Sequence, residues 1–155
     1  MIDLCTEITL VINKEFSLTI IALVISGADL NCIQEGLIPS KYYEKSIDRL
    51  VQANGDRLQI NYRLTNAHIY NDGICFKTPF VLVNQLSSKV ILGNPFMAIL
   101  YPFLTSNNGI STNILGKDIL FKFILPLFLM KYICWKIFLF SLNMIDKEER
   151  RLLIS

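Results

Sequence analysis

Apolar and polar residues alternate, or gather into short apolar runs, through the first 123 positions, which is the patterning of strands. Runs at residues 8–12 and 16–25, rich in β-branched side chains, flank Asn13-Lys14-Glu15 and read as a hairpin whose second strand enters Ser26-Gly27. Residues 34–52 mix charges with spaced apolar positions, and Pro39-Ser40 predicts a short helical or irregular connection. Asn54-Gly55 is a two-residue hairpin signal, because both central positions of a type I′ turn need positive φ, and Leu58, Ile60, Tyr62 and Leu64 alternate with polar neighbours after it. A further hairpin is expected from residues 67–70 through Asn71-Asp72-Gly73, returning over 74–83 with Pro79 marking an edge or a bulge.

Residues 90–92 form a short apolar run that stops at Gly93, and Pro95 is placed as the first residue of a helix reaching about Tyr101. Asn107-Asn108-Gly109 ends that unit, and residues 110–123 supply a last strand pair turning at Gly116-Lys117. Strands at this spacing point to an all-β sandwich or barrel.

Beyond residue 123 the pattern changes to an almost unbroken apolar run up to Phe140, followed by Asp146-Lys147-Glu148-Glu149-Arg150-Arg151. Of the 22 residues 119–140, 18 are apolar, a length that reaches across a bilayer. Against a span, Lys131 in its middle costs about 2.5–3.5 kcal/mol and Pro126 interrupts a helix. A helix packed on the domain or a partner, a membrane anchor, and sequence that has decayed all remain open for this tail. The expected organisation is one domain over residues 1–125 and an apolar, helical, then charged tail over 126–155.

At 155 residues and 52% hydrophobic content the chain can bury one sizeable core. Residues 1–116 carry eight Lys/Arg against nine Asp/Glu, and residues 117–155 seven against four, so the basic excess belongs to the tail. The first 116 residues have no basic run or basic-aromatic interleaving, and no nucleic-acid partner is expected. Cys5, Cys32, Cys75 and Cys134 are far apart, and His68 is the single histidine, so neither a zinc site nor a disulfide framework is indicated; no metal and no cofactor are expected. The apolar flanks of the cysteines suggest buried thiols in a reducing compartment, and the first residues lack the pattern of a secretory signal; a cytoplasmic location is expected, with membrane association through the tail as the alternative.

Three segments carry candidate chemistry. Residues 22–32 read Ala-Leu-Val-Ile-Ser-Gly-Ala-Asp-Leu-Asn-Cys, residues 53–55 read Ala-Asn-Gly, and residues 91–96 read Ile-Leu-Gly-Asn-Pro-Phe. Taken alone, Val-Ile-Ser-Gly is also what a buried strand ending in a turn looks like. In their order and spacing the three resemble the retropepsin-like aspartic protease of plant pararetroviruses, the caulimovirus and petuvirus group, over about residues 5–125. The first matches that family's Asp-Thr/Ser-Gly-Ala strand and turn, the second its flap hairpin, the third its hydrophobic-hydrophobic-Gly signature.

The resemblance implies a closed β-barrel with one short C-terminal helix, working as a homodimer in which each chain lends one aspartate. Two carboxyls about 3 Å apart cannot both ionise, so one polarises the peptide carbonyl while the other deprotonates water. By the same resemblance Ile25, Ser26 and Gly27 occupy the catalytic segment, Ala28, Asp29, Asn54 and Gly55 the peptide-binding set, and Gly93 a structural place. Ile25 stands where the aspartate belongs and offers neither proton nor lone pair, so the chain is expected not to cleave peptides. Ser26 has no general base in view, and Asp29 lies past the turn. A dimerisation or peptide-binding module without catalysis, possibly tethered to a membrane by its tail, is the alternative.

Overall fold

The computed structural model describes residues 4–46, 49–51, 57–86 and 88–124. Strands β1 (Leu4–Ile12) and β2 (Phe16–Val24) form the first hairpin, in register from Leu4 opposite Val24 to Ile12 opposite Phe16. Asn13 and Lys14 both take positive φ, 51° and 60°, the backbone that a tight hairpin turn demands. Along β1 the side chains of Ile8, Leu10 and Ile12 are buried while Glu7 is exposed, the alternation of a sheet with one face on the core.

The chain continues through β3 (Cys32–Gln34), a 3-10 turn (Ser40–Tyr42), β4 (Glu44–Lys45), β5 (Arg49–Val51), β6 (Arg57–Gln59), β7 (Tyr62–Leu64), β8 (Ala67–Asn71), β9 (Ile74–Lys77), β10 (Phe80–Val83) and β11 (Val90–Leu92). A single α-helix, α1 (Asn94–Leu100), and strands β12 (Phe103–Thr105), β13 (Gly109–Ile114) and β14 (Lys117–Lys122) complete the described chain. Nine strands form one sheet in the order β4-β7-β10-β3-β11-β2-β1-β8-β9; β12-β13-β14 form a second sheet and β5-β6 a two-stranded ribbon. At the centre, β11 runs parallel to β2 and antiparallel to β3, while β3 runs parallel to β10. Every residue of β10 and β11 is buried, so these strands read as continuous apolar runs rather than alternations.

Most expected strands and the helix fall where the pattern puts them, with several differences. First, the main sheet is not a closed barrel. It ends at β4, two residues long, and at β9, each paired on one side only. The second sheet meets it mostly through side chains instead of a continuous backbone ladder: Asn71 Nδ2 donates to Leu120 O at 2.9 Å, Thr6 Oγ1 to Lys122 O at 2.8 Å, and one isolated bridge joins Thr6 to Phe123. The Phe121 ring bridges the layers, standing edge-on to Phe96 at 5.2 Å and to Phe76 at 5.6 Å, contacts each worth about 0.5–1.5 kcal/mol beyond their burial.

Second, the single return expected over 74–83 splits at Thr78-Pro79. Strand β9 pairs with β8, whereas β10 crosses to β7 and β3. Pro79 cannot donate to a ladder, and the chain changes partners there. Third, residues 103–105 form a strand that was not anticipated, and the strand expected to run from Leu58 through Leu64 divides into β6 and β7. The helix predicted from Pro95 through about Tyr101 spans Asn94–Leu100, with Gly93 capping its start. The 34–52 connection contains the expected short turn but also β4 and β5. The tail over 126–155 lies outside the described residues, as do Asn54 and Gly55, although β5 and β6 pair antiparallel on either side of them.

Candidate functional site

Strand β2 ends at Val24, and the next residues turn sharply against the end of β11. Ile25 N–H donates to Leu92 O at 2.9 Å, and Ala28 N–H reaches back to Ile25 O at 3.3 Å. Gly27, at φ 91°, sits in the left-handed region that the turn requires and that a β-carbon disfavours. Asn94 holds this turn from both ends: its Oδ1 accepts the Gly27 N–H at 3.1 Å and its own N–H donates to Ala28 O at 2.7 Å.

Gly93 is needed here for space. A β-carbon on it would lie 2.6 Å from both Ala28 O and Leu30 O and 3.0 Å from Ala28 Cβ. This close approach lets the Gly93 N–H donate to Asn31 Oδ1 at 2.8 Å. Asn31, only 1% exposed, spends its amide hydrogens on Thr78 Oγ1 at 2.7 Å and Pro79 O at 3.0 Å, and its backbone O accepts the Val81 N–H at 2.9 Å. A buried amide with all these partners fastens the turn to β10 and β11 at once.

The structure brings residues 25–29 and 93–94 together. Ile25 is wholly buried, packed in a small apolar cluster with Ala28, Cys32, Ile60, Val81 and Ile91. Ala28 is buried as well, whereas Ser26, Gly27 and Asp29 are exposed. The wall beneath the turn is therefore hydrocarbon, and the side chain at position 25 contributes to it. Ser26 borders a groove of about 460 Å³ lined by Leu4, Val24, Met97, Phe103 and Phe123.

Sequence reasoning missed Asn31, Thr78 and Asn94. The available signal was Asn31 itself, an amide between Leu30 and Cys32 in an apolar strand, which must find partners if it is buried. Nothing local in the sequence marks Thr78 as a partner of Asn31, 47 positions away, or Asn94 as a partner of Gly27, 67 positions away.

Among the described residues no group of three or more His, Cys, Asp or Glu comes together as metal ligands would. Burial pushes the Cys32 thiol up to about 12, which keeps it neutral and unreactive. Cys75, by contrast, is exposed on β9, so the expectation that the cysteines are buried fails there: its neighbours Ile74 and Phe76 turn inward, and alternation turns Cys75 outward. Far from the turn, hydrogen bonds from the Thr65 hydroxyl and N–H hold the Glu44 carboxyl below its ordinary range.

The fold has counterparts among known proteins. A comparison with curated protein sequences finds no match to the chain. Among solved structures it is similar to the retroviral protease-like domain of Ddi1 from Leishmania major, with a TM-score of 0.53 at 16% identity, covering 80% of this chain and 96% of that one. At that identity the likeness speaks for the fold. The sequence itself matches the profile described as retroviral aspartyl protease over residues 6–127, a stretch holding the Ile25 turn, the Asn31 clamp and Gly93, and the chain thus belongs to the retroviral aspartyl protease family.

Proposed function

We propose that this chain is a retropepsin-like domain of pararetroviral descent that does not hydrolyse peptides, because Ile25 occupies the place of the catalytic aspartate. The observation that carries the reading is the burial of the Ile25 side chain, 0% exposed, in an apolar cluster directly under the turn. Hydrolysis by this family's chemistry needs one ionised and one protonated carboxyl facing a water. Hydrocarbon at that position supplies neither.

The direct test is incubation of the purified full chain with a peptide library at mildly acidic pH, with and without pepstatin. No pepstatin-sensitive cleavage is expected, and its appearance would overturn the reading. An Ile25→Asp variant, assayed in parallel, locates the cause: cleavage that appears only in the variant assigns the silence to this one side chain. Pararetroviral descent rests on the three motif segments at residues 22–32, 53–55 and 91–96. A coding region with no reverse-transcriptase sequence, intact or decayed, beside it in the genome would count against it.

A surviving role in binding has one specific support, the antiparallel pairing of β5 with β6 on either side of the segment that resembles a flap hairpin in sequence. Strand-like main-chain bonding to such a peptide needs no carboxylate at position 25. Homodimerisation belongs to the same reading, and sedimentation of the purified chain tests it.

A further inference from the structure

We propose that the apolar segment 127–140 of this chain seats, within the same molecule, in the groove beside Ser26. The groove, about 460 Å³, is walled by Leu4, Val24, Met97, Phe103 and Phe123, and its apolar surface continues over the outer side of α1. A neighbouring hollow of about 440 Å³ shares Met97 and Phe103 and adds Ala98 and Tyr101. Tyr101 is 77% exposed at this surface, so a large hydrophobic side chain here meets water unless something covers it.

The chain's own course selects the occupant. Phe123 is both a wall of the groove and the residue that bridges Thr6, and Ile124 N–H donates to Cys5 O at 2.8 Å. The backbone is thus running antiparallel to β1 toward Leu4, another wall, when the described chain ends at Ile124. Thirty-one residues follow, positions 125–155, and those at 127–140 are apolar apart from Lys131 and Lys136. An apolar segment tethered at the rim of an apolar groove has a high effective concentration there, which an untethered partner lacks. Lysine stems can lie along the apolar surface with their ammonium groups in water, so Lys131 and Lys136 do not oppose the seat.

The chain carries its own probe, since its single tryptophan, Trp135, lies inside the segment. In the full chain without lipid, Trp135 emission is expected to be blue-shifted and shielded from acrylamide, to the same degree across a wide dilution series. Met97→Asp, in the groove wall, and Thr105→Asp, at its exposed rim, should each shift the emission to the red and raise acrylamide quenching several-fold. Leu120→Asp, on the exposed face of β14 away from the groove, should change neither. Far-UV circular dichroism shows that each variant retains its sheet; because Thr105 is exposed, its replacement does not burden the core and keeps the test valid if Met97→Asp fails to fold. Four results each overturn the proposal: free quenching in the parent chain, shielding that falls on dilution, shielding that appears only with phosphatidylcholine-phosphatidylserine vesicles, or indifference to Thr105→Asp. The third would assign the segment to a membrane instead. None of these readings depends on proteolytic activity, so they stand apart from the proposed absence of catalysis.

Discussion

Replacing Gly93 by alanine tests the central packing of the site. The added β-carbon would lie 2.6 Å from two backbone carbonyl oxygens, Ala28 O and Leu30 O, and neither is the end of a flexible side chain that could swing away. Either the 28–30 segment or the β11–α1 junction must move. Forced overpacking of this kind costs about 1–3 kcal/mol. The same movement lengthens Gly93 N–H to Asn31 Oδ1, now 2.8 Å, and Asn94 N–H to Ala28 O, now 2.7 Å. Each such bond is worth a net of about 0.5–1.5 kcal/mol, so the total loss is roughly 2–6 kcal/mol. That is a large part of the roughly 5–15 kcal/mol that holds a domain folded.

Equilibrium urea unfolding of the full chain, followed by far-UV circular dichroism, measures the loss. Gly27→Ala is the internal comparison: no atom lies within 4 Å of its added β-carbon, so the left-handed φ of 91° supplies the whole penalty, about 1–2 kcal/mol. Adding Ala28→Gly to Gly93→Ala removes the 3.0 Å contact between β-carbons but leaves both oxygens in place, and should recover only a minor share. A Gly93→Ala loss smaller than that of Gly27→Ala would refute the argument from close approach. Near-complete rescue by Ala28→Gly would refute the assignment to the carbonyl oxygens.

Three further outcomes follow from the same geometry. Asn31→Ala strands the Gly93 N–H and the Thr78 hydroxyl in a buried place and removes the part-buried bond to Pro79 O, and should cost about 3 kcal/mol or more in urea unfolding. With its folded pKa raised from 9.0 to about 12, Cys32 remains a neutral thiol in the native state while the unfolded chain ionises it from about pH 9. Its contribution to stability is therefore complete below pH 9 and falls progressively up to about pH 12, and iodoacetamide at pH 8, read by peptide mass spectrometry, should label exposed Cys75 but not Cys32 until urea is added. Ile25→Asp places a lone carboxyl in an apolar cluster, raising its pKa above the unfolded value; that variant should lose at least about 2–5 kcal/mol of stability, and lose more at pH 7 than at pH 4. An equal loss at both pH values would show that the group escapes to water.

The strands and the turn of the site were legible because their signals are local. Asp72 and Gly73 take φ of 51° and 85° where Asn71-Asp72-Gly73 reads as a turn, and Leu115 and Gly116 do the same where a turn was placed near Gly116. The Gly93–Pro95 signal located α1 to within a residue. What was not legible depends on partners distant in sequence. Runs such as residues 74–83 state that strands exist but not that β9 and β10 pair with different neighbours, and β12 lacks strong alternation because Leu104 and Thr105 both face outward. Sheet closure is likewise decided by which edges meet. Here the two-residue β4 at one end and side-chain links such as Asn71 to Leu120 near the other leave the main sheet open.

On the proposed reading of Ile25, the domain can lose its catalytic group and keep its architecture because the two depend on different atoms of the same residue. Position 25 enters the scaffold through its backbone: its N–H bonds Leu92 O and its O accepts from Ala28 N–H. The remaining fastenings run through Gly27, Asn31, Gly93 and Asn94, and none uses the side chain at 25. That side chain is therefore free to change as far as hydrogen bonding is concerned, and its surroundings of Ala28, Cys32, Ile60, Val81 and Ile91 favour a hydrocarbon. An aspartate there is desolvated at a cost that only a paired carboxyl, sharing a proton, converts into catalysis. Once that use is lost, isoleucine removes the desolvation cost and adds apolar contact. Selection on folding alone would then hold Asn31 and Gly93, whose replacement breaks the clamp, more tightly than the position where the chemistry would have been.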